Sequence, residues 1–350
     1  MRIRGMNLAT FAEAYASGRR RVPTPTHVFL CVADHYEPQW NHASVDQQLA
    51  RVDRWIDEYP NTVDGCADSR GRPPQHTFFY PIECYDAKHL DKLATLVRAG
   101  YGDVEIHLHH DDDNGDSLRQ LLLESIQTLH DRHGLLKKDP SGQIRYGFIH
   151  GNWALDNSHP DGKWCGVNNE ITILRETGCF ADFTMPAAPH SAQIRTINQI
   201  YYAIDDPDCP KSHDTGIEAT TGRDRPNDGL LMIQGPLVVK HERPWRKPSV
   251  ENGNVARSQP LLGNRVDDWL RANVTVTGHS KWQFIKLHTH GGKPANADVW
   301  LSEEAKRFHN QLNRIASERD FRYYYVTANE MAKLVAQAER GIMEPDWDSL

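Results

Sequence analysis

The chain has 350 residues, 39% of them hydrophobic and 25% charged, and a formal net charge of -7. It is long enough for a large α/β domain with a sizeable core. The acidic balance and the lack of a concentrated basic stripe argue against nucleic acid as the main partner, and the short Arg19-Arg20-Arg21 cluster reads as a solvated loop. No run approaches the roughly 20 apolar residues of a membrane span, and the first residues do not lead into the apolar core of a signal peptide.

Apolar periodicity predicts helices over Leu8 to Ala16, Ser44 to Glu58, Asp86 to Ala99, Asp116 to His133, Glu170 to Glu176, Glu303 to Ser317 and Ala328 to Arg340. Between them, strands are expected at 27–33, 75–80, 103–109, 145–149, 179–184, 198–203, 229–238, 282–287 and 322–326. This alternation points to an α/β fold with a largely parallel sheet, open or closed into a barrel. Residues 205–228 and 241–263 are rich in Pro, Asp, Asn, Gly and Arg, and are expected to be long loop insertions serving as lids, substrate walls or oligomer contacts. Six scattered cysteines, Cys31, Cys66, Cys84, Cys165, Cys179 and Cys209, contain no CxxC pair. Free thiols in a reducing, cytoplasmic setting are therefore expected.

The most informative stretch is Gly102 to Asp113, where an apolar strand runs into three histidines and three aspartates. Alternation puts His107 and His109 on one strand face, with His110 and the aspartates where the strand opens into a loop. Other strands end alike. The run 27–33 leads into Asp34-His35-Tyr36-Glu37, the run 75–81 to Glu83, the run 146–149 into His150-Gly151-Asn152-Trp153, and the run 282–287 into His288-Thr289-His290-Gly291-Gly292. In a parallel α/β sheet or barrel such carboxyl ends gather at one face.

Imidazoles mixed with carboxylates suit a divalent transition metal, zinc first, with Ni, Co, Mn or Fe as alternatives, and the lack of clustered thiols argues against a structural zinc ribbon. An open catalytic site whose metal serves hydrolysis is the expectation. Asp34 offers a base. His288 offers a general acid, with His290 undecided between packing and binding. Asn152 and Trp153 present an amide and an indole face suited to a sugar.

These residues resemble the motifs of the polysaccharide deacetylases, the NodB-homology or carbohydrate esterase type 4 group. In that family a strand ends in two aspartates, first the base and then a metal ligand. The matching run here is Val32-Ala33-Asp34-His35, which makes Asp34 the base and His35 a substituted ligand. The family's histidine strand matches Val104 to His109, and its second histidine, four residues on, falls at Asp113. The resemblance thus implies a metal triad of His35, His109 and Asp113, with His107 and His110 in reserve. Phe148 to Trp153 takes the place of the family's Arg-Pro segment, Ala181-Asp182-Phe183 that of its Asp-Trp pair, Ile285 to His288 resembles its final strand, and Phe321 to Met331 its closing strand and helix. The matches run in family order from about 27 to 335.

What the resemblance implies is a distorted (β/α) barrel in a single domain over 1–350, deacetylating an N-acetyl or O-acyl sugar. Water activated by Asp34 would attack the acyl carbon, and His288 would protonate the departing amine. Glu83, His150, Asn152, Trp153, Asp182 and His290 would surround the carbohydrate. Three rivals stand beside this reading. A barrel glycosidase could pair Glu83 with Asp34 or Asp182. An amidohydrolase-type site is suggested by His107-x-His109, and a catalytically silent sugar binder would keep the fold without the chemistry.

Overall fold

The computed structural model describes residues 2–3, 5–17, 24–240 and 249–350. Arg19 to Arg21 and residues 241–248 of the second loop insertion lie outside them. A short hairpin of β1 (Arg2–Ile3) and β2 (Met6–Asn7) leads into α1 (Leu8–Ser17). Then follow β3 (His27–His35), α2 (Val45–Val63), β4 (His76–Pro81), α3 (Ala87–Arg98), β5 (Gly102–Leu108), α4 (Gly115–His133), β6 (Tyr146–His150), α5 (Glu170–Thr177) and β7 (Cys179–Asp182). The second half holds β8 (Ile200–Ile204), β9 (Ile217–Glu218), β10 (Gly229–Ile233), β11 (Val238–Lys240), β12 (Ser249–Glu251), α6 (Val266–Ala272), β13 (Trp282–Thr289), α7 (Pro294–Trp300), α8 (Glu303–Glu318), β14 (Arg322–Tyr325) and α9 (Ala328–Glu339).

Local chemistry accounts for the borders. Ser44 and Gln47 close a reciprocal capping box at the start of α2, Asn114 caps α4, and Gly134 ends α4 in a left-handed conformation. The expected strand over 229–238 splits in two. Gly235 turns its N–H to the Met185 carbonyl and Pro236 has no N–H to offer, so the ladder stops at Ile233 and resumes as β11. The expected loop 205–228 carries β9, which adds to the sheet edge, and the loop 241–263 carries β12, which pairs with β11. Two short helices, α6 and α7, fall where no helical period was read.

The main sheet has the order β13-β3-β4-β5-β6-β7-β10-β8-β9, with β14 also paired to β3. Every pair from β13 to β10 is parallel, and only β8 and β9 run antiparallel to their neighbours. The sheet curls into a distorted barrel. Inward residues Phe29, Phe79, Ile149, Ala181, Leu231 and Phe284, drawn from strands far apart in the order, share one core that also takes Met331, Leu334 and Val335 of α9. Outward residues such as Leu30, Phe78, Ile106, Phe148 and Leu287 share the larger core with the surrounding helices. Closure between the two edges is irregular. Val274 O accepts from Phe284 N of β13, and Thr277 exchanges backbone bonds with Ala219 and Thr221 beyond β9.

One clasp holds the site-side wall. Buried Arg265 reaches both carboxylate oxygens of Glu251, at 2.9 and 2.8 Å, and the carbonyls of Asn254, Gln259 and Pro260. The segment it gathers lies along the end of β13, where His288 N bonds Gly253 O and Val255 N bonds His288 O. Removing one partner of a buried ion pair leaves the other charge uncompensated. Arg265→Ala should therefore lower the unfolding free energy in urea by about 3–5 kcal/mol; a loss within error of zero would show that the clasp contributes nothing.

Candidate active site at the barrel mouth

In a strand, side chains alternate between faces. On β3 this sends Cys31, Ala33 and His35 inward, with Glu37 two residues further. On β5 it sends Glu105 and His107 inward, followed by His109, and on β13 Lys286 and His288, followed by His290. The parallel register brings these positions to one end of the barrel, because Ala33 lies beside His288, His35 beside Phe79, and Pro81 beside His107.

The rings crowd there. The His35 centroid is 5.0 Å from that of His107, 4.7 Å from His290 and 6.2 Å from His288, and His107 is 4.4 Å from His109. One ligand atom from each of Glu37, His107 and His109 lies within 4.8 Å of the other two. His107 Nδ1 sits 2.9 Å from the Ile149 carbonyl, which can only accept, so Nδ1 holds the proton and Nε2 is a bare, buried lone pair with no partner. Burial, then the neighbouring His109, pushes the His107 pKa down to about 3. His35 and His288 are held well below the ordinary range, foremost by burial.

Two carboxylates complete the group. Glu83 Oε1 accepts from His109 Nδ1 at 2.7 Å, and Glu37 takes His109 Nε2 at 3.2 Å and His290 Nδ1 at 3.1 Å. Burial opposes charge on Glu37, but its imidazole hydrogen bonds outweigh that and hold it well below the usual carboxylate range. Burial likewise opposes charge on His109, and the two carboxylates overcome it, raising its pKa to about 9. The donors fit a divalent metal. Two imidazoles and one carboxylate make the ligand set of catalytic zinc sites, and Glu83 and the Ile149 carbonyl would orient the two rings from behind.

Bare backbone forms part of the wall. A Cβ on Gly151 would lie 2.2 Å from the His109 ring, one on Gly291 would lie 2.1 Å from Asp34 Oδ2, and one on Gly292 would lie 2.2 Å from the Glu37 carbonyl oxygen. Beyond Gly151, Trp153, His159, Trp164 and His190 form a partly exposed aromatic group, with His190 5.0 Å from Trp153 and 5.9 Å from Trp164.

The structure thus brings His35, Glu83, His107, His109, His288 and His290 together and leaves the other expected residues elsewhere. Asp34 faces the helices. Its carboxylate is fully buried, accepting from Gly291 N at 2.6 Å and meeting His76 Nε2 at 2.8 Å, so the base expected there has no path to the mouth. Asp113 does not join His35 and His109, because the strand has ended and its carboxylate turns back to His110 Nδ1 and to Asn114 N and Ser117 Oγ. His110 and His150 point away from the lumen into a second buried group with Cys165 and Glu170, which could itself hold a metal. Asp182 is buried under Thr184, which takes both its oxygens. Asn152 and Trp153 adopt left-handed backbone in a tight turn beside Gly151. Glu37 was not anticipated as a site residue; its signal was its spacing of two from His35.

No family model matches the chain, and no curated protein matches it. Among solved structures the chain is similar to an alpha-mannosidase from Enterococcus faecalis V583, with TM-score 0.47 and 10% identity over 89% of this chain and 29% of that one. It is also similar to Puue Allantoinase, with TM-score 0.47 and 13% identity over 90% and 92%, and to a 4-alpha-glucanotransferase from Thermococcus litoralis, with TM-score 0.41 and 11% identity over 89% and 40%. The chain thus spans well under half of the mannosidase and of the glucanotransferase. At such identities and TM-scores the likeness says nothing of substrate or chemistry, and the resemblance to polysaccharide deacetylases remains one of motifs.

Asp34→Ala tests the placement of that residue. Removing it strips Gly291 N and His76 Nε2 of a buried partner, and should lower stability by about 1–3 kcal/mol in chemical denaturation while bound zinc, measured by elemental mass spectrometry, stays at the wild-type level. Zinc lost from a variant of unchanged stability would return Asp34 to the mouth.

Proposed function

We propose that the protein is a metal-dependent hydrolase acting on an acylated carbohydrate, with its centre at the barrel mouth. The observation that carries this reading is the pre-arranged donor set: His107 with its free Nε2, His109 braced by Glu83, and Glu37. The ion would be held by these three, with zinc favoured and Ni, Co, Mn or Fe compatible with the same atoms. Such an ion supplies Lewis acidity to an acyl carbonyl oxygen and to water at neutral pH.

The chain's own groups do the rest. Glu83 and the Ile149 carbonyl fix the tautomers and ring directions of His109 and His107. His288 and His290, facing the triad from β13, are the proton carriers, and His290 is the better placed because its Nδ1 already rests on Glu37. The base role expected of Asp34 passes to one of these imidazoles. Trp153, Trp164, His159 and His190 offer flat, half-exposed rings to a sugar face beside the mouth. Deacetylation of an N-acetyl or O-acyl sugar is the specific activity proposed, in line with the motif resemblance.

One observation favours a second reading. Glu37 and Glu83 stand on opposite sides of the His109 ring, which gives a carboxylate pair of the kind a glycosidase uses, in place of the expected partnership of Glu83 with Asp34 or Asp182.

The test is acetate release from acetylated saccharides by protein reconstituted separately with each metal. His107→Ala and His109→Ala should abolish both mouth metal and acetate release, and Glu83→Gln should weaken metal affinity about 10–100-fold. Glycosidic cleavage that is indifferent to chelators and lost in Glu37→Gln would establish the second reading instead.

A further inference from the structure

Behind the mouth, on the helix-facing side of the sheet, His110, His150, Cys165 and Glu170 each place one ligand atom within 4.8 Å of all the others. The four come from the end of β5, the end of β6, the segment 151–169 and the first residue of α5. Cys165, His150 and Glu170 are at 0% exposure, and the side chain of His110 is 6% exposed.

The proton positions argue for a cation among them. His110 Nδ1 lies 3.0 Å from Asp113 Oδ2, and His150 Nδ1 lies 2.6 Å from the Gly151 carbonyl. A carboxylate and a carbonyl can only accept, so both Nδ1 atoms hold the protons of their rings. The two Nε2 atoms nevertheless face each other at 2.9 Å, lone pair to lone pair, with Glu170 Oε1 3.3 Å from one and 3.6 Å from the other. Three electron-rich atoms at such distances repel unless something positive lies between them.

A proton on one ring would relieve that contact; a cation would relieve it and also take up the sulfur, which lies within 4.8 Å of the other three ligand atoms. Cys165 Sγ receives the backbone N–H groups of Asn157 and Val167 at 3.3 and 3.4 Å, and its own proton, which a bound cation would replace, points to Glu170 Oε2 at 3.4 Å or the Val167 carbonyl at 3.5 Å. Two N–H donors aimed at one sulfur are the setting of a ligating thiolate. The Asp113–His110 pair and the His150–carbonyl pair supply the outer support that metal-bound imidazoles require.

We infer that His110, His150, Cys165 and Glu170 form a second, closed metal site of the zinc class, distinct from the mouth and structural in role. Two imidazoles, one thiolate and one carboxylate fill a tetrahedron and leave no position for substrate. The site ties the segment 151–169 and α5 to the ends of β5 and β6. His109 and Gly151, which touch at the mouth, are the chain neighbours of its ligands His110 and His150, so the closed site holds the mouth wall in place.

X-ray absorption at the zinc edge decides the matter, on protein reconstituted with Zn²⁺ alone. The His109→Ala variant, disabled only at the mouth, should retain zinc with about one sulfur scatterer per metal at about 2.3 Å. Cys165→Ser should lose that sulfur shell. Wild-type protein should show the same sulfur diluted by any zinc at the mouth, a reading that holds even where the Cys165 variant does not fold. Zinc without a sulfur neighbour in wild type and in His109→Ala, or no zinc retained at all, would overturn the inference. The proposed hydrolysis is judged separately, since it depends on the metal that His109→Ala removes.

Discussion

The pleat of a parallel strand is the constraint on which this molecule turns. Each residue step reverses the direction of the side chain, and neighbouring parallel strands hold a common register, so side chains two residues apart on three strands converge inside the barrel while those one residue off converge outside it. His35, His107 and His288 obey the first rule, and Asp34 obeys the second. The adjacent pair His109 and His110 continues that division past the end of β5, one ring turned to the mouth and the other to the buried group with Cys165.

The same rule explains what could be read without coordinates. Strand positions and the gathering of His107, His109, His288, His290 and Glu83 followed from apolar runs that end in polar residues, because a parallel sheet must collect those ends on one face. The motif resemblance went astray where it counted residues along the chain and not around the strand. It made Asp34 the base and Asp113 a metal ligand, but Asp34 is one pleat out of phase with His35, and Asp113 lies beyond the strand, where a turn and the cap of α4 set its direction. Glu37 was overlooked although it shares its phase with His35. His110 and His150 were singled out, but their grouping with Cys165 and Glu170 was not legible, since His110 lies 40 residues before His150 and the four meet only through the fold of segment 151–169.

Beneath the imidazoles lies a fixed charge. Lys286 Nζ is buried in the barrel and donates to the carbonyls of Phe183 and Met185 at 2.6 and 2.7 Å, and burial draws its pKa down to about 8. Its ammonium lowers the pKa of His288 after the larger effect of burial, and that of His35 after burial and the neighbouring His290, His107 and His288.

The close approach of Gly151, Gly291 and Gly292 to His109, Asp34 and Glu37 has a bearing on how this barrel can change over generations. At Gly291 and Gly292 an added carbon meets a buried carboxylate or backbone, and at Gly151 it meets the ring of the proposed ligand His109. That flank is closed to stepwise variation. Beyond Gly151, by contrast, Trp153, His159 and Trp164 of segment 151–169 stand half-exposed with His190, and none of the four is a proposed ligand. Divergence toward new acceptors is therefore channelled to one side of the opening, and descendants of this chain would differ in what they grip long before they differ in how they react.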